Sequence, residues 1–240
     1  MKTAIVTGAT KGIGLSIARM LLNEGYYVVA TYAHDEESAD RCRAILAGIS
    51  SDFAVVRADQ SDKQSMREFV NYIKKEFSSV EAIVCNAGAT LRCTLEEITD
   101  DDWERMMQIN LNSNLYLIRD LYPIIAPNSR IVFIGSLMGV YPHGTSLAYG
   151  VSKSALHALA LNLVKCFEGT NTTVNAIAPG FVETEWQASK PQQIRDNIVS
   201  KSAIKRFAST EEVADAVCFC INNAFVNGSI IEVSGGYNFK

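Results

Sequence analysis

The stretch that decides the fold is KTAIVTGATKGIG, residues 2–14. Its first part, Lys2–Thr7, is a short apolar run rich in β-branched residues, which is typical of a strand. Gly8, Gly12 and Gly14 then follow in the spacing Gly-x-x-x-Gly-x-Gly. Such glycines allow a tight turn and let a pyrophosphate approach the backbone N–H groups that begin a helix. The strand, the glycine turn and the helix after it predict the first unit of a dinucleotide-binding fold.

The rest of the chain repeats this alternation of strand and helix. The first helix is predicted from Leu15 to Glu24, and Gly25 marks its end. Further strand-like runs lie at 26–32, 53–57, 80–85, 130–135, 172–178 and 229–233. They are apolar on both faces, which suits a parallel sheet covered by helices on both sides. We therefore predict an α/β fold in a single domain, residues 1–240: a doubly wound (Rossmann) seven-stranded parallel sheet in a three-layer αβα arrangement.

Short polar patterns mark where several helices begin. Ser61-x-x-Gln64 and Ser209-x-x-Glu212 match the capping box, in which the first and fourth residues bond each other's backbone N–H groups. Asp100–Asp102 follow Thr99, and they predict the first turn of a helix in preference to a cation site. Carboxylates there face the positive end of the helix dipole, and Thr99 can cap the turn.

Composition disfavours several classes of function. The net charge of −4 provides no basic surface for nucleic acid. No apolar stretch approaches the roughly 18–20 residues of a membrane span, and Gly8, Lys11 and Gly12 interrupt the first apolar run too early for a signal peptide. The six cysteines form no C-x-x-C pair, which favours reduced, partly buried thiols, and the three scattered histidines indicate no metal site. We expect a cytoplasmic protein.

Tyr149-Gly150-Val151-Ser152-Lys153 carries the most specific chemical signal. A tyrosine and a lysine four residues apart on a helix lie on one face, about 5–6 Å from each other. An ammonium beside a phenol favours the phenolate, so we predict that Lys153 lowers the pKa of Tyr149 from about 10 toward neutrality. Ser136 lies thirteen residues upstream. Its hydroxyl can stabilise charge on a substrate oxygen that the phenol protonates.

Together these residues resemble the short-chain dehydrogenase/reductase family along essentially the whole chain. Thr7-Gly8-x-x-x-Gly12-x-Gly14 is similar to the family's cofactor loop, and Cys85-Asn86-Ala87-Gly88 to its Asn-Asn-Ala-Gly element, with Cys in first place. Pro179-Gly180-Phe181-Val182-Glu183-Thr184 matches the segment that covers the nicotinamide. With Glu185 and the closing Val233–Tyr237, the closest likeness within the family is to 3-oxoacyl-[acyl-carrier-protein] reductases.

The resemblance implies an oxidoreductase and assigns its site. Asn110, Ser136, Tyr149 and Lys153 fall on the four catalytic positions. It implies that Lys153 also holds the nicotinamide ribose, that Asn110 supports a water linking Lys153 to solvent, and that Asp59 contacts the adenine. The implied cofactor-binding residues are Gly8, Thr10, Lys11, Gly12, Ile13, Gly14, Tyr32, Asp59, Gln60, Asn86, Ala87, Gly88, Tyr149, Lys153, Pro179, Gly180, Val182 and Thr184.

The end of the second strand bears on the choice of cofactor. NAD-specific enzymes commonly carry an acid there, which binds both ribose hydroxyls. In this chain the position is Tyr32, and no acid occurs before Asp35. Lys11 stands in the glycine loop, where NADP users of the family often carry a base. We therefore predict NADP(H), whose 2′-phosphate would meet a cation and no competing carboxylate, with NAD(H) as the alternative. His34 is expected to be a solvated turn residue.

The closest likeness implies NADPH-dependent reduction of a 3-oxoacyl thioester. Acyl carrier proteins are acidic, however, and the segments expected to dock one, Ile124–Arg130 and Cys166–Thr173, hold Arg130 as their only base. Another small ketone, sugar or alcohol therefore stays an alternative substrate. Specificity is expected to depend on Met138–Leu147 and on the stretch from Thr184 to Ser200.

Two other classes are less well supported. A nucleotide-binding regulator without turnover would usually lose Tyr149 or Lys153, and both are present. Sugar-nucleotide epimerases have a shorter glycine loop and longer chains. The family resemblance further implies that the Tyr149 helix and the helix of 101–126 pair with a symmetry mate, usually in a homotetramer. The apolar stripe expected at that interface is Ala155, Leu156, Leu159, Ala160, Leu163 and Val164.

Overall fold

The computed structural model describes residues 1–237. One seven-stranded, all-parallel sheet runs through it in the order β3-β2-β1-β4-β5-β6-β7. The strands are β1 (Lys2–Val6), β2 (Tyr26–Tyr32), β3 (Phe53–Arg57), β4 (Val80–Cys85), β5 (Ile125–Ile134), β6 (Thr173–Pro179) and β7 (Ile230–Val233). The predicted fold class is confirmed. Strand order reverses between β1 and β4, and an α/β sheet binds its ligands at such a switch point.

Helices cover both faces of this sheet. They are α1 (Gly12–Asn23), α2 (Glu36–Ala47), α3 (Lys63–Glu76), α4 (Asp100–Met107), α5 (Ser113–Leu121), α6 (Leu147–Cys166), α7 (Glu185–Ala188), α8 (Gln192–Ser200) and α9 (Thr210–Asn222). Apolar residues of α1, α2 and α9 pack on one face, and those of α3, α5 and α6 pack on the other. In β1, Ala4 and Val6 face the first layer and Ile5 faces the second, as the two-residue period of a strand requires.

The helix after the glycine turn begins earlier than predicted. It starts at Gly12 because the last two glycines of the loop already belong to its first turn. It ends at Asn23, and Gly25 then adopts a φ of +80° and donates its N–H to the Leu22 carbonyl. The glycine loop therefore presents the unpaired N–H groups of a helix N-terminus directly at the end of β1.

Two of the predicted helix caps are confirmed. The Ser209 hydroxyl accepts the Glu212 N–H at 3.2 Å, and the Glu212 carboxylate accepts the Ser209 N–H at 2.8 Å. Thr99 and Asp102 form the same reciprocal pair at the start of α4.

The capping box predicted at Ser61 is wrong. Asp62 caps α3 instead, since its carboxylate accepts the Gln64 N–H at 2.8 Å. Ser61 donates both its N–H and its hydroxyl to the Asp59 carboxylate, so its side chain is not available to α3. The Asp62 carboxylate is a stronger acceptor and lies one residue nearer the helix, so it caps α3 in place of Ser61.

Strand β5 begins five residues before its predicted start at 130. Ile125 pairs with Val80, and the next pair in the ladder joins Arg130 to Ala82, so residues 126–129 leave the ladder. This excursion contains Pro127 and Asn128, and Asn128 has a φ of +63°. Because turn residues interrupt the apolar pattern of β5, that pattern predicts only the part of the strand that follows them.

Two further observations concern the chain as a whole. No helix within residues 1–237 combines the length and the apolar character needed to cross a bilayer. All six cysteines lie in this range as free thiols, and Cys42, Cys85 and Cys220 are buried. Cys85, which stands in place of the family's first Asn, packs in the apolar layer under α3, α5 and α6.

Candidate active site

The glycine loop forms a cradle in which no side chain fits. A Cβ added to Gly14 would lie 2.6 Å from the Asn86 Nδ2 atom and 2.8 Å from the Ala9 Cα atom. Gly8 has a φ of +61°, and a Cβ there would lie 2.9 Å from the Ala87 Cα atom. Gly12 also has a positive φ of +54°. The loop is therefore narrow and rich in backbone N–H groups, and it has no side chain at its three glycines, which fits a dinucleotide pyrophosphate.

Thr7 and Asn86 join the glycine loop to the element after β4. The Thr7 hydroxyl accepts the backbone N–H groups of Asn86 and Ala87, both at 3.0 Å. The Asn86 side chain donates to the carbonyls of Thr7 and Gly8 at 3.0 and 2.8 Å. Thr7 was not among the predicted site residues, and its place directly before Gly8 is the signal that could have identified it. These bonds fix the ends of β1 and β4 on either side of the switch point.

A cleft of about 570 Å³ opens at the carboxyl ends of β4, β5 and β6. It brings together many of the predicted site residues, namely Ile13, Asn86, Gly88, Ser136, Tyr149, Lys153, Pro179, Gly180, Val182 and Thr184. The others lie outside its lining. Some belong to the glycine loop, some lie at the end of β2 or just after β3 and β4, and one packs behind Gly88. They are Gly8, Thr10, Lys11, Gly12, Gly14, Tyr32, Asp59, Gln60, Ala87 and Asn110.

Tyr149 and Lys153 lie on one face of α6, as their spacing predicts. The Lys153 Nζ atom is 5.9 Å from the centre of the Tyr149 ring and donates to the Ile134 carbonyl at 2.8 Å. Lys153 is almost fully buried, whereas Tyr149 is half-buried at the cleft wall. A cation and a phenol thus meet where β5 ends.

The predicted lowering of the Tyr149 pKa is not found. Burial raises this pKa, and the Ser136 hydroxyl offsets only part of the increase. Burial also lowers the pKa of Lys153 to about 8, which weakens the charge that was expected to favour the phenolate. Tyr149 is therefore protonated at neutral pH and suited to donate a proton.

Asn110 lies in a π-helical segment, Gln108–Asn112, between α4 and α5. Its side chain is fully buried, accepts the Ala89 N–H at 2.8 Å, and donates to the Ala89 carbonyl and to the Ser152 hydroxyl, both at 2.9 Å. A Cβ added to Gly88 would lie 3.1 Å from Asn110 Oδ1 and 3.3 Å from the Lys153 Nζ atom. Asn110 thus supports the backbone beside Lys153, and its predicted water relay stays a prediction.

Ser136 is held by a residue that the sequence analysis missed. His157 lies four residues after Lys153 on the same helix and is buried against Gly135. Its Nε2 atom accepts the Ser136 backbone N–H at 3.4 Å. Burial and the Lys153 ammonium lower the pKa of His157 to about 4, so the ring is neutral and can accept this bond. The four-residue spacing from Lys153 was the available signal.

The loop after β2 corrects one part of the cofactor prediction. Lys11 donates to the Asp35 carboxylate at 2.9 Å, and this bond lowers the pKa of Asp35. The buried Tyr32 donates its hydroxyl to Glu36 at 2.8 Å. The expectation of a cation without a competing carboxylate is therefore wrong, because the turn that leads into α2 folds Asp35 back onto Lys11.

Asp59 and Gln60 lie after β3 and are both buried. Burial raises the pKa of Asp59, but the hydrogen bonds from Ser61 and the nearby His34 lower it by more. The net pKa is below its ordinary value, so the carboxylate is charged. His34 is exposed as predicted, yet it contacts Asp59 at 2.8 Å. The Gln60 side-chain oxygen accepts from the Ser113 hydroxyl at 2.8 Å, and its main-chain carbonyl accepts from the Gln108 side chain at 3.1 Å, whereas its side-chain nitrogen has no partner among the described residues.

The segment after β6 closes over the glycine loop. The Gly180 N–H donates to the Val233 carbonyl at 2.9 Å, and Val182 pairs with Ala208 in an isolated bridge. A Cβ added to Gly12 would lie 3.5 Å from the Thr184 Cγ2 atom. Thr184 is therefore in van der Waals reach of the loop, as a segment covering a nicotinamide would be.

Comparisons with known proteins cover nearly the whole chain. A family model described as Enoyl-(Acyl carrier protein) reductase matches residues 8–238. The 3-oxoacyl-[acyl-carrier-protein] reductase FabG of Escherichia coli (strain K12) is 30% identical, over 98% of this chain and 96% of that protein. The cis-4-hydroxycyclohexanecarboxylate dehydrogenase of Sinomonas cyclohexanicum is 31% identical, again over 98% of this chain and 96% of that protein.

Solved structures give the same result. A short chain dehydrogenase from Burkholderia cenocepacia J2315 in complex with NADP has a TM-score of 0.92 and 26% identity, and covers 99% of this chain and 98% of its own. A blue fluorescent protein from a metagenomic library in complex with NADPH has a TM-score of 0.92 and 27% identity, with the same coverage. The chain therefore belongs to the short-chain dehydrogenase/reductase family, whose members are oxidoreductases acting on alcohol and carbonyl groups.

Proposed function

We propose that the protein reduces the carbonyl group of a small molecule with a nicotinamide cofactor and uses Tyr149 as the general acid. The observation that carries this proposal is the joint placement of the Tyr149 phenol, the Ser136 hydroxyl and the Lys153 ammonium in the wall of one cleft. The glycine loop would hold the pyrophosphate, and Lys153 with Asn86 and Gly88 would face the nicotinamide side. When bound, the cofactor supplies the hydride.

The chain's own residues supply the proton and stabilise charge. Ser136 accepts the Met138 N–H at 3.1 Å, which orients its hydroxyl so that its proton can be donated to a substrate oxygen. Tyr149 keeps its proton at neutral pH and gives it to the same oxygen as the carbonyl becomes an alcohol. Lys153, with a pKa of about 8, can return a proton to Tyr149 under the same conditions. Carbon thus gains a hydride and oxygen gains a proton.

NADPH is the cofactor we favour, with NADH as the alternative. Lys11 is half exposed in the glycine loop, where it can reach a 2′-phosphate. Two solved neighbours hold NADP or NADPH, which supports the same choice here. Asp35 shares the Lys11 ammonium at 2.9 Å, so the preference should be weaker than an unpaired lysine would give.

A 3-oxoacyl thioester is the first candidate substrate, because the Escherichia coli relative carries that activity in its name. A specific observation favours a second candidate, a small free ketone or alcohol. Arg130, the one base in the segments expected to dock a carrier protein, donates to the carbonyls of Ile221, Asn128 and Ser129. Its guanidinium is therefore engaged within the fold. The Sinomonas cyclohexanicum relative, named for a small cyclic hydroxy acid, also supports this second candidate.

A panel assay tests the proposal. The purified protein is mixed with NADPH or NADH and with acetoacetyl-coenzyme A, an acetoacetyl carrier protein and a set of small ketones, and oxidation of the cofactor is followed by absorbance. We expect ketone-dependent oxidation with NADPH and a matching amount of alcohol product. If no carbonyl compound in the panel causes oxidation of either cofactor, the proposed function is wrong. Reduction of the free ketones alone would identify the second candidate.

A further inference from the structure

The cleft also has cationic side chains that the proposed chemistry does not use. Arg92 lies in the segment after β4. Trp186 lies in α7, and Lys190 follows that helix. The Lys190 Nζ atom lies 4.1 Å from the centre of the Trp186 ring, and the Arg92 guanidinium lies 5.7 Å from the same centre. Arg92 and Trp186 both line the cleft. Two cations therefore gather around one indole at the cleft wall.

These two cations have no anionic partner in residues 1–237. No carboxylate forms an ion pair with Arg92 or Lys190 there. The Lys190 Nζ atom is enclosed by protein and has no hydrogen-bond acceptor. Burial, with the repulsion of Arg92 and Arg195, lowers the pKa of Lys190 to about 8. Two neighbouring cations without a counterion destabilise the fold, so the pair of Arg92 and Lys190 suggests that a bound anion supplies the missing charge.

The side chains of the described residues that line the cleft include no carboxylate, whereas they do include Arg92, Arg105, His143 and Lys153. Glu183 pairs with Arg195 through both carboxylate oxygens, at 3.0 and 2.6 Å. Glu232 accepts from the Tyr141 hydroxyl at 3.3 Å. Arg92, Arg105 and Lys153 therefore face the cleft without a carboxylate in its lining.

We propose that the carbonyl substrate carries an anionic group, a carboxylate or a phosphate ester, which binds between Arg92 and Lys190 beside Trp186. This inference rests on the proposed function and specifies the substrate class of the same cleft. The Arg92 guanidinium, which lines the cleft, can bind either anion through two parallel hydrogen bonds, and the enclosed Lys190 ammonium beside Trp186 adds positive charge behind the lining. Both cations lie within cation–π distance of the Trp186 ring, at 5.7 and 4.1 Å from its centre, which places them beside this part of the cleft wall.

Matched pairs of ketones test the charge directly. The carboxylate arm compares acetoacetate, 4-oxopentanoate and 5-oxohexanoate with their methyl esters, and the chain length that suits the cleft is found from the series. The phosphate arm compares dihydroxyacetone phosphate with dihydroxyacetone. We expect kcat/KM to be roughly 10- to 100-fold higher for the anion of the best pair than for its neutral partner, and this ratio should fall at high salt.

Variants then assign the effect to the two cations. Arg92→Gln and Lys190→Gln should each raise KM for the anionic ketone by roughly 10- to 100-fold and change kinetics with the neutral partner less than about threefold. Lys190→Arg keeps the charge and should retain most of the anion preference. Arg19→Gln is the matched control, because Arg19 is an exposed cation on α1, away from the cleft.

A binding measurement separates this inference from the proposed function. Trp103→Phe leaves Trp186 as the chain's only tryptophan, so its fluorescence can be titrated with each ketone without turnover. If no ketone is reduced but the keto acids bind more tightly than their esters, and Arg92→Gln abolishes this difference, the anion site is real and the proposed reaction is wrong. If neutral partners bind and react as well as the anions, or both Gln variants behave like the wild type, the anion site is overturned.

Discussion

At the scale of single residues, burial has more influence on the site than sequence spacing does. The four-residue interval correctly predicts that Tyr149 and Lys153 share a helix face. It does not predict that Lys153 is nearly fully buried, with its pKa lowered to about 8, or that burial raises the pKa of Tyr149. A local pattern predicts which residues are catalytic and which helix face they share, whereas the pKa of each residue depends on every element packed around it.

Tyr149→Phe should therefore retain the fold and the affinity for NADPH while losing the proton donor. We expect kcat for carbonyl reduction to fall by on the order of 10²–10⁴-fold or more. Tyr122→Phe is the matched control, since Tyr122 is exposed and donates to the Cys166 carbonyl far from the cleft. Ketone reduction by Tyr149→Phe at a rate near that of the wild type would refute the assigned role.

The buried His157 makes stability depend on pH in a defined direction. In the unfolded chain His157 binds a proton near pH 6.5, whereas in the folded protein its pKa is about 4. Between these values the unfolded state binds more protons, so the free energy of unfolding should fall as pH decreases from 6.5 to 4, by at most about 1.4 kcal/mol per pH unit from this group.

Urea denaturation at several pH values measures this slope. His157→Leu removes the titrating group, so its unfolding free energy should vary less over this window, whatever its absolute stability. His143→Leu should change the slope less, because burial lowers the pKa of the more exposed His143 in the same direction but by less. A His157→Leu slope equal to that of the wild type would show that this ring is not held neutral in the folded protein.

At the scale of elements, the sequence predicts which segments form strands better than it predicts how turns connect them. Strands β2, β3 and β4 have their predicted bounds, because each is a mainly apolar run. The cofactor prediction treats Asp35 as too far along the chain from Tyr32 to compete for Lys11. Whether Asp35 would point toward Lys11 or away from it depends on the conformation of the turn from β2 into α2, which no local pattern specifies.

This turn provides a prediction about cofactor choice. Wild type should bind NADPH more tightly than NADH, Lys11→Ala should weaken NADPH selectively, and Tyr32→Asp should narrow or reverse the preference. Asp35→Asn should tighten NADPH by roughly 3- to 10-fold with little effect on NADH, because it frees Lys11 and keeps an oxygen that can cap α2.

Nicotinamide fluorescence titrations with each reduced cofactor measure these affinities. Asp215→Asn is the control, since Asp215 is an exposed acid on α9, outside the glycine loop and the turn after β2. Tighter binding of NADH by the wild type would show that the interpretation of the second strand is wrong. An unchanged NADPH affinity in Asp35→Asn would show that Asp35 does not compete for Lys11.

At the scale of the whole molecule, the predicted assembly surface needs correction. Leu156, Ala160 and Leu163 of the proposed stripe are buried against the sheet within one chain. Leu147, Val151 and Leu161 form a different face of α6 and are 45%, 38% and 42% exposed. The helix is apolar all round, so its composition does not indicate which side faces the sheet.

The exposed face of α6 is therefore our candidate for the homotetramer interface. We expect light scattering at micromolar concentration to give a mass near four chains of 26.3 kDa. Leu161→Glu should dissociate the assembly, because it places a charge in an apolar contact. Ile45→Glu, on the exposed side of α2, is the control and should not change the mass. A monomeric wild type would contradict the prediction.

Isotope transfer tests most directly whether the protein moves a hydride from the nicotinamide to a carbonyl carbon. The protein is incubated with the best ketone of the panel and NADPH carrying deuterium at the transferable position of the nicotinamide, and the alcohol is analysed by mass spectrometry. We expect one deuterium on the carbinol carbon for each NADPH oxidised. We also expect Tyr149→Phe to form much less of the alcohol product. Oxidation of labelled NADPH without deuterium in the alcohol, or no alcohol with any carbonyl compound, would contradict the proposed hydride transfer.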